Sequence, residues 1–233
     1  MGKVYWSKNA FASSGNTSTW GDAREADESS SSTLNTTSTS IKGINYFLAS
    51  GRGSNTYRVE RCYFAFDMSA YTGISLTNLE FNFTPTTTTS GTFSSNRLIK
   101  TDAFGSSATF TDYSDEDFYE SLNFTTTYSS GFTFPDSTTA QTVALNSTAV
   151  SAISSAGFIQ ICMVTSGDYS NIQPITDINN AGYLNVGSNT AGNVFLTFDD
   201  PGYPNNVNGV TASNIVKVND VATASITKLN DIS

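Results

Sequence analysis

The sequence predicts an all-β fold, a single β-sandwich over residues 1–204 with one short helix, followed by a repeat tail over residues 205–233. Three observations carry this. Nine or ten short runs, apolar or alternating in polarity, are separated by turn residues at the close spacing of a sandwich. Only 13% of residues are charged, whereas Ser, Thr, Asn and Gly abound and aromatics reach 12%, a mixture that favours strands and turns over helices. A capped helical pattern occurs once. With 233 residues one large β domain is the simplest arrangement, and so many aromatic residues argue against a disordered chain.

Taken in order, residues 3–6 (KVYW) read as a first strand. Residues 7–40 are rich in Ser, Thr, Asn and Gly around one charged knot at 21–28 and read as a long surface loop or weak edge. Residues 44–50 (INYFLAS) form a second strand closed by Gly51 and Gly53, and GRGSN at 51–55 reads as a hairpin turn. In residues 57–67, Val59, Arg61, Tyr63 and Ala65 share one face while Glu60, Cys62, Phe64 and Phe66 share the other. Bulk on both faces marks a central strand. Residues 76–84 alternate cleanly, Leu79, Phe81 and Phe83 against Asn78, Glu80 and Asn82, as in a half-buried strand. Further strands are expected at 97–103, 122–128 and 140–145. Asn146 then caps a helix through Ala149, Val150 and Ile153 that stops at Gly157. Strands at 158–165, 183–186 and 194–198 complete the set, and Asp199-Asp200-Pro201-Gly202 ends it with residues that cannot extend a ladder.

The segment RCYFAFDMSAYTGISLTNLEFNF, a loop containing FTDYSDEDF, the short helix before GFIQICMVTSGDY, and VFLTF together resemble the carbohydrate-binding-like jelly-roll domains that include DNRLRE-type surface modules. The resemblance covers most of residues 57–198 and implies that the sandwich is a jelly roll. The end of the chain resembles the Ile-x-Lys-Val-Asn-Gly/Asp-Val units found on structural proteins of tailed bacteriophages. It is matched by Ile215, Lys217, Val218, Asn219, Asp220 and Val221, then by Ile226, Lys228, Leu229, Asn230, Asp231 and Ile232. Asp220 and Asp231 stand where Gly is frequent. This resemblance implies a virion component exposed on the particle, in closed symmetry such as a trimer.

That tail is a tandem repeat of about 11 residues headed by Asn208, Asn219 and Asn230. Val210, Val221 and Ile232 are equivalent, as are Ile215 and Ile226, Lys217 and Lys228, and Val218 and Leu229. A unit this short buries its apolar side only against a neighbour, so these nine residues are the candidate assembly contacts. Asn-Gly and Asn-Asp steps interrupt a continuous helix, and short helical turns alternating with tight turns fit the spacing.

Charge narrows the partners. The net charge is −9, and because the tail's charges cancel, all of it lies on the body. Such a surface repels nucleic-acid backbones and anionic membranes. No run approaches the roughly 20 apolar residues of a membrane span, and residues 1–11 lack a secretory pattern, so synthesis in the host cytoplasm is expected. Cys62 and Cys162 lie in apolar runs and are expected as reduced core thiols.

Chemistry is narrowed as well. With no histidine, Ser-His-Asp and Cys-His nucleophiles are absent. A carboxylate pair is the remaining catalytic device, with Asp199–Asp200 and the acidic run 112–120 as candidates, but consecutive acids in Ser/Thr-rich loops read as solvated surface and no catalytic residue is assigned. Asp112, Asp115 and Asp117 are candidate calcium ligands, without EF-hand spacing. Trp20, Tyr57, Tyr113 and Tyr203, with Tyr46 and Tyr119 beside them, are the aromatic candidates for stacking on a glycan. The expectation is a non-enzymatic phage virion surface protein, a capsid decoration or cement protein or a fibre component, attached to other virion proteins by its repeats. The alternative is a lectin-like receptor-binding module on the tail that recognises a host cell-surface glycan. If Asp112, Asp115 and Asp117 hold calcium, EDTA lowers the melting temperature and added calcium restores it; an unchanged melting curve removes calcium from the account.

Overall fold

The computed structural model describes residues 1–25, 33–34, 41–51, 53–88, 93–110, 118, 121–199, 217–218 and 221–222. In chain order the body contains β1 (Gly2–Tyr5), β2 (Lys8–Ser13), α1 (Trp20–Arg24), β3 (Thr33–Leu34), β4 (Ile41–Ser50) and β5 (Asn55–Asp67). A 3-10 turn (Ser69–Tyr71) leads to β6 (Thr77–Thr88), β7 (Phe93–Thr101), β8 (Leu122–Thr127), β9 (Phe132–Phe134) and β10 (Gln141–Ala144). Then follow α2 (Ser147–Ala156), β11 (Phe158–Val164), α3 (Ser166–Tyr169), β12 (Ile178–Asn185) and β13 (Phe195–Asp199). The tail contributes β14 (Lys217–Val218) and β15 (Val221–Ala222). Strand residues far outnumber helical ones, and the body is an all-β, jelly-roll-like sandwich.

Its strands are paired antiparallel throughout. One layer is ordered β1-β13-β6-β10. Past Thr84 the long β6 leaves these partners and pairs with β12, which joins β4 and through it β5. The two layers are therefore one sheet folded over along β6. The register slips where Leu184 faces Pro85, a position where the missing N–H of proline is tolerated.

β5 carries most of the second layer. Backbone bonds from Ser7 to Ala65, Ser14 to Val59 and Thr17 to Tyr57 occupy one edge, continuing the β2 ladder. The other edge is shared end to end: β4 pairs with Asn55–Glu60 and β11 with Cys62–Asp67. The sheet forks there, and Arg61 sits at the fork. Beyond β11 lie β7 and β8.

Period-two patterning decides what lies between the layers. Phe81, Phe83 and Leu79 of β6, with Leu196 and Phe198 of β13, meet Cys62, Phe64 and Phe66 of β5 and Ile159, Ile161 and Met163 of β11 in the main core. Phe64 meets Phe81 tilted at 5.7 Å and Phe66 meets it edge-on at 6.2 Å, while Phe93 stacks on Phe134 at 5.3 Å. The outer face of the second layer is covered too, with Tyr63, Ala65, Ile99 and Cys162 lying beneath Phe104, Phe110 and Phe118. At the bulge between β4 and β12, a Cβ on Gly43 would stand 2.4 Å from the carbonyl oxygen of Gly182, so only glycine permits that approach.

Most expected strands are present, and β5 is central as its two bulky faces foretold. α2 begins at Asn146, whose side chain accepts from the amides of Thr148 and Ala149, and ends at Gly157 with φ 71°. Three expectations are corrected. Residues 7–40 are not simply a loop, because β2 is a buried strand and α1 follows it. β9 was not foreseen. Nor is α2 the sole helix: Thr19 caps α1 and Thr165 caps α3, each accepting the amide N–H three residues on.

Cys62 points into the main core and Cys162 toward the opposite face, and both are free and buried. Burial pushes both thiols up from their ordinary range, so they remain protonated in mildly alkaline solution. A thiol reagent at pH 8 is expected to find no reactive cysteine in the folded protein and two after denaturation; rapid labelling of the native state would contradict this packing.

Candidate functional site

Three of the aromatic residues named from the sequence as sugar-stacking candidates come together on the outer face of β4 and β5. Trp20, the first residue of α1, meets Tyr46 edge-on at 5.6 Å and Tyr57 at 6.4 Å. Each ring has its polar end satisfied. Trp20 Nε1–H donates to Asn171 Oδ1 (3.0 Å), the Tyr46 hydroxyl donates to the carbonyl of Ile172 (2.6 Å), and the Tyr57 hydroxyl accepts from Gln173 Nε2 (2.7 Å) and Asn55 Nδ2 (3.1 Å). The loop at 171–173 thereby closes over the three rings, and burial raises the Tyr46 phenol.

This overturns the reading of Trp20, Tyr46 and Tyr57 as stacking platforms. They are only 7%, 8% and 4% exposed, and with Val59, Leu48 and Ala23 they form a small core of their own. A pyranose needs an open ring face, and these faces are spent on one another. Tyr113, Tyr119 and Tyr203 lie outside the described residues, as do Asp112, Asp115 and Asp117. Among the described residues no group of three or more acidic or cysteine side chains is placed to hold a metal.

Beside the aromatic cluster is a charged one that the sequence did not disclose. Arg61 is wholly buried and Asp168, in α3, is 1% exposed. The pair is bidentate, Nε to Oδ2 at 2.7 Å and Nη2 to Oδ1 at 2.8 Å. Arg24, from the last turn of α1, adds a bond from Nε to the Asp168 carbonyl (3.1 Å), and its own carbonyl accepts from Arg61 Nη2 (3.0 Å). The Phe124 ring of β8 lies 4.4 Å from the Arg24 guanidinium and 5.6 Å from that of Arg61. Segments α1, β5, α3 and β8 thus converge on one charged cluster. Arg24 and Asp168 lie 37 and 107 residues from Arg61 in sequence, too far apart for a local motif to announce their meeting.

Asp199, one half of the carboxylate pair considered for catalysis, accepts from Asn78 Nδ2 (2.7 Å) and Thr77 Oγ1 (3.3 Å) at the exposed end of β6. Along the outer side of the same layer, Thr142 donates to Asn82, Asn82 to Thr197, and Thr197 to Glu80. These polar residues bridge β10, β6 and β13 and knit the sheet laterally.

Two features remain. A cleft of about 370 Å³ opens between α2 and the ends of β7, β8 and β11. In the tail, β14 and β15 pair antiparallel with Val218 opposite Val221 and Lys217 opposite Ala222. Lys217, Val218 and Val221 are among the nine assembly candidates; the other six, Val210, Ile215, Ile226, Lys228, Leu229 and Ile232, lie outside the described residues. The paired strands sit where the repeat places its Asn-Asp step, with strands and not helical turns on either side.

No protein-family model and no curated protein matches the chain.

Replacing Asp168 by Asn leaves two arginines facing a neutral amide. The expected loss is about 3–5 kcal/mol, which lowers the melting temperature by roughly 10 °C in a domain of this size. The double variant Arg61→Met/Asp168→Leu recovers part of it, because removing both charges ends the uncompensated burial. An Asp168→Asn protein as stable as the parent would refute the clamp.

Proposed function

We propose that this chain is a non-enzymatic surface component of a bacteriophage virion, a capsid decoration or cement protein or a fibre component, whose sandwich is displayed while the repeats of residues 205–233 attach it. The observation that carries this reading is the pairing of β14 with β15 inside the repeat. Each strand has two residues, and a hairpin of that size is not stable alone in water. The next unit offers the same residue types, Lys228 and Leu229 before Asn230-Asp231 and Ile232 after it. A row of such hairpins gains stability by laying its valine, leucine and isoleucine side chains on a partner surface and its unpaired strand edges against a partner strand.

The body suits display. Among the described residues most large apolar side chains are committed to three cores, and the outer side of β10-β6-β13 carries Thr142, Asn82, Thr197 and Glu80. The virion assignment is supported by the likeness of the tail to phage structural proteins, and a net charge of −9 favours solvent exposure. The partners are other virion subunits and further copies of the chain, in closed symmetry such as a trimer.

Deleting residues 207–233 is expected to leave the far-ultraviolet spectrum and melting temperature of the body unchanged while abolishing oligomers and incorporation into particles. Normal assembly of the truncated protein would refute the proposal.

A further inference from the structure

We infer that the exposed apolar patch around Ile172, Ile175 and Phe47 is the surface on which the repeat tail of an adjacent copy of this chain docks. The inference rests on the attachment proposed for residues 205–233 and names what receives it.

Among the described residues only three large apolar side chains stand in solvent, and two of them, Ile172 at 59% and Ile175 at 90% exposure, belong to one loop. They cannot retreat. The Tyr46 hydroxyl holds the carbonyl of Ile172, Gln173 is bonded to Tyr57, Pro174 is buried, and Asp177 Oδ1 accepts from the amide of Ser50 (2.7 Å). A loop tied at both ends keeps its isoleucines in water, and paired apolar side chains held there mark an interaction site. Beside the loop, a shallow hollow of about 320 Å³ is lined by Phe47, Ala49, Asp177 and Ile178. Phe47 joins none of the three cores. The Arg58 guanidinium lies 4.8 Å from its ring, directly across from it on β5.

Charge identifies the occupant. Asp177 is exposed and makes no ion pair with a described residue, and its hydrogen bonds from Ser50 hold the carboxyl below its ordinary range, so it is an uncompensated anion at the rim. Arg58, on the other side of Phe47, is partly exposed and approaches the buried Glu60 at 3.5 Å. The patch thus runs acid, apolar, base. The repeat offers the converse, Lys217, Val218, Asp220 and Val221 in one unit and Lys228, Leu229, Asp231 and Ile232 in the next. The pairing of β14 with β15 sets Val218 opposite Val221, so both valines share one side of the hairpin. Laid on the patch, a lysine meets Asp177, the valines meet Ile175 and Phe47, and the aspartate meets the outer nitrogens of Arg58.

The path of the chain selects a neighbour. Asp199, the last residue of β13, pairs with Thr77 at the start of β6, whereas Gly182 pairs with Thr88 at its end and Ile178 lies four residues further on. About 40 Å of strand therefore separate the tail's point of departure from the patch. The 17 residues from 200 to 216 span at most about 60 Å, so reaching their own patch would commit most of that length to a straight path along the body. A neighbour set end to end offers its patch close to the point of departure. Such head-to-tail contacts are heterologous and close into a ring such as the proposed trimer.

The test uses the full chain. Ile175→Asp and Asp177→Lys are each expected to weaken self-association, read as molar mass by light scattering over a dilution series, by roughly tenfold in dissociation constant. Neither should move the melting temperature, because both side chains are exposed. Adding Lys217→Asp and Lys228→Asp to Asp177→Lys is expected to restore association. In Ile175→Cys/Val218→Cys, oxidation is expected to link different chains, the native thiols being buried. The inference is overturned by a full chain that stays monomeric, by unchanged association in Ile175→Asp, by failure of the charge exchange to rescue, or by oxidation that leaves the chains single. The last outcome, with the disulfide inside one chain, makes the chain's own body the occupant. All of these leave attachment through the tail to other virion subunits standing, whereas oligomers that persist after deletion of residues 207–233 remove that reading and this inference with it.

Discussion

A guanidinium with no access to water must find its counter-charge inside the protein, and Arg61 imposes that requirement at the middle of β5. The carboxylate that meets it comes from α3, over a hundred residues away, and cannot arrive unless β11 is already paired with β5. Arg24 in turn cannot reach the same residue unless α1 lies across the strand. The pair therefore contributes less through its own energy, which desolvation largely offsets, than through what its absence would leave unpaired. Alternative placements of α1 and α3 are penalised because they strand a buried charge. The fork in the sheet, where β4 gives way to β11, falls at this residue.

The same arrangement explains where the aromatic residues are. On the outer face of β5, Tyr57 and Val59 lie on one side of Arg61 and Tyr63 and Ala65 on the other, each set under its own cover. Trp20, Tyr46 and Tyr57 seal one flank, and Phe104, Phe110 and Phe118 the other. With both faces of the strand covered, the rings that composition made conspicuous are consumed by packing. Trp20 illustrates the limit of reading exposure from sequence. In a polar stretch it reads as a surface aromatic, yet a five-residue helix capped by Thr19 turns it inward.

Elements with a strong internal pattern were legible from the sequence. β6 could be read because Leu79, Phe81 and Phe83 alternate with polar residues, and α2 because Asn146 and Gly157 mark its ends. β2 could not, since Asn9, Ala10, Ala12 and Ser13 are small or polar and become strand only by pairing with β5. β9 is three residues long and depends on β7 in the same way. Among functional features, the repeat was legible because its period is local. The cleft beside α2 was not, because it is made of residues that are unremarkable singly: small side chains on one helix face and the ends of three strands.

The packing of the body also decides which of its surfaces stay free. A jelly-roll-like sandwich needs its large side chains between layers, and here a second set covers the outer face, so little apolar surface is left on the body for holding a neighbour. On the proposed function the repeats fill that role, since a unit this short buries its valine, leucine and isoleucine residues only against a partner. The helix α2 buries Ala149 and Ile153 in the main core, which frees its opposite stripe from any packing demand. Residues without a structural duty, such as Ser151 and Thr148, are those that substitution can change without unfolding the sandwich. Changes on this stripe of α2 therefore leave the packing of the sandwich as it is.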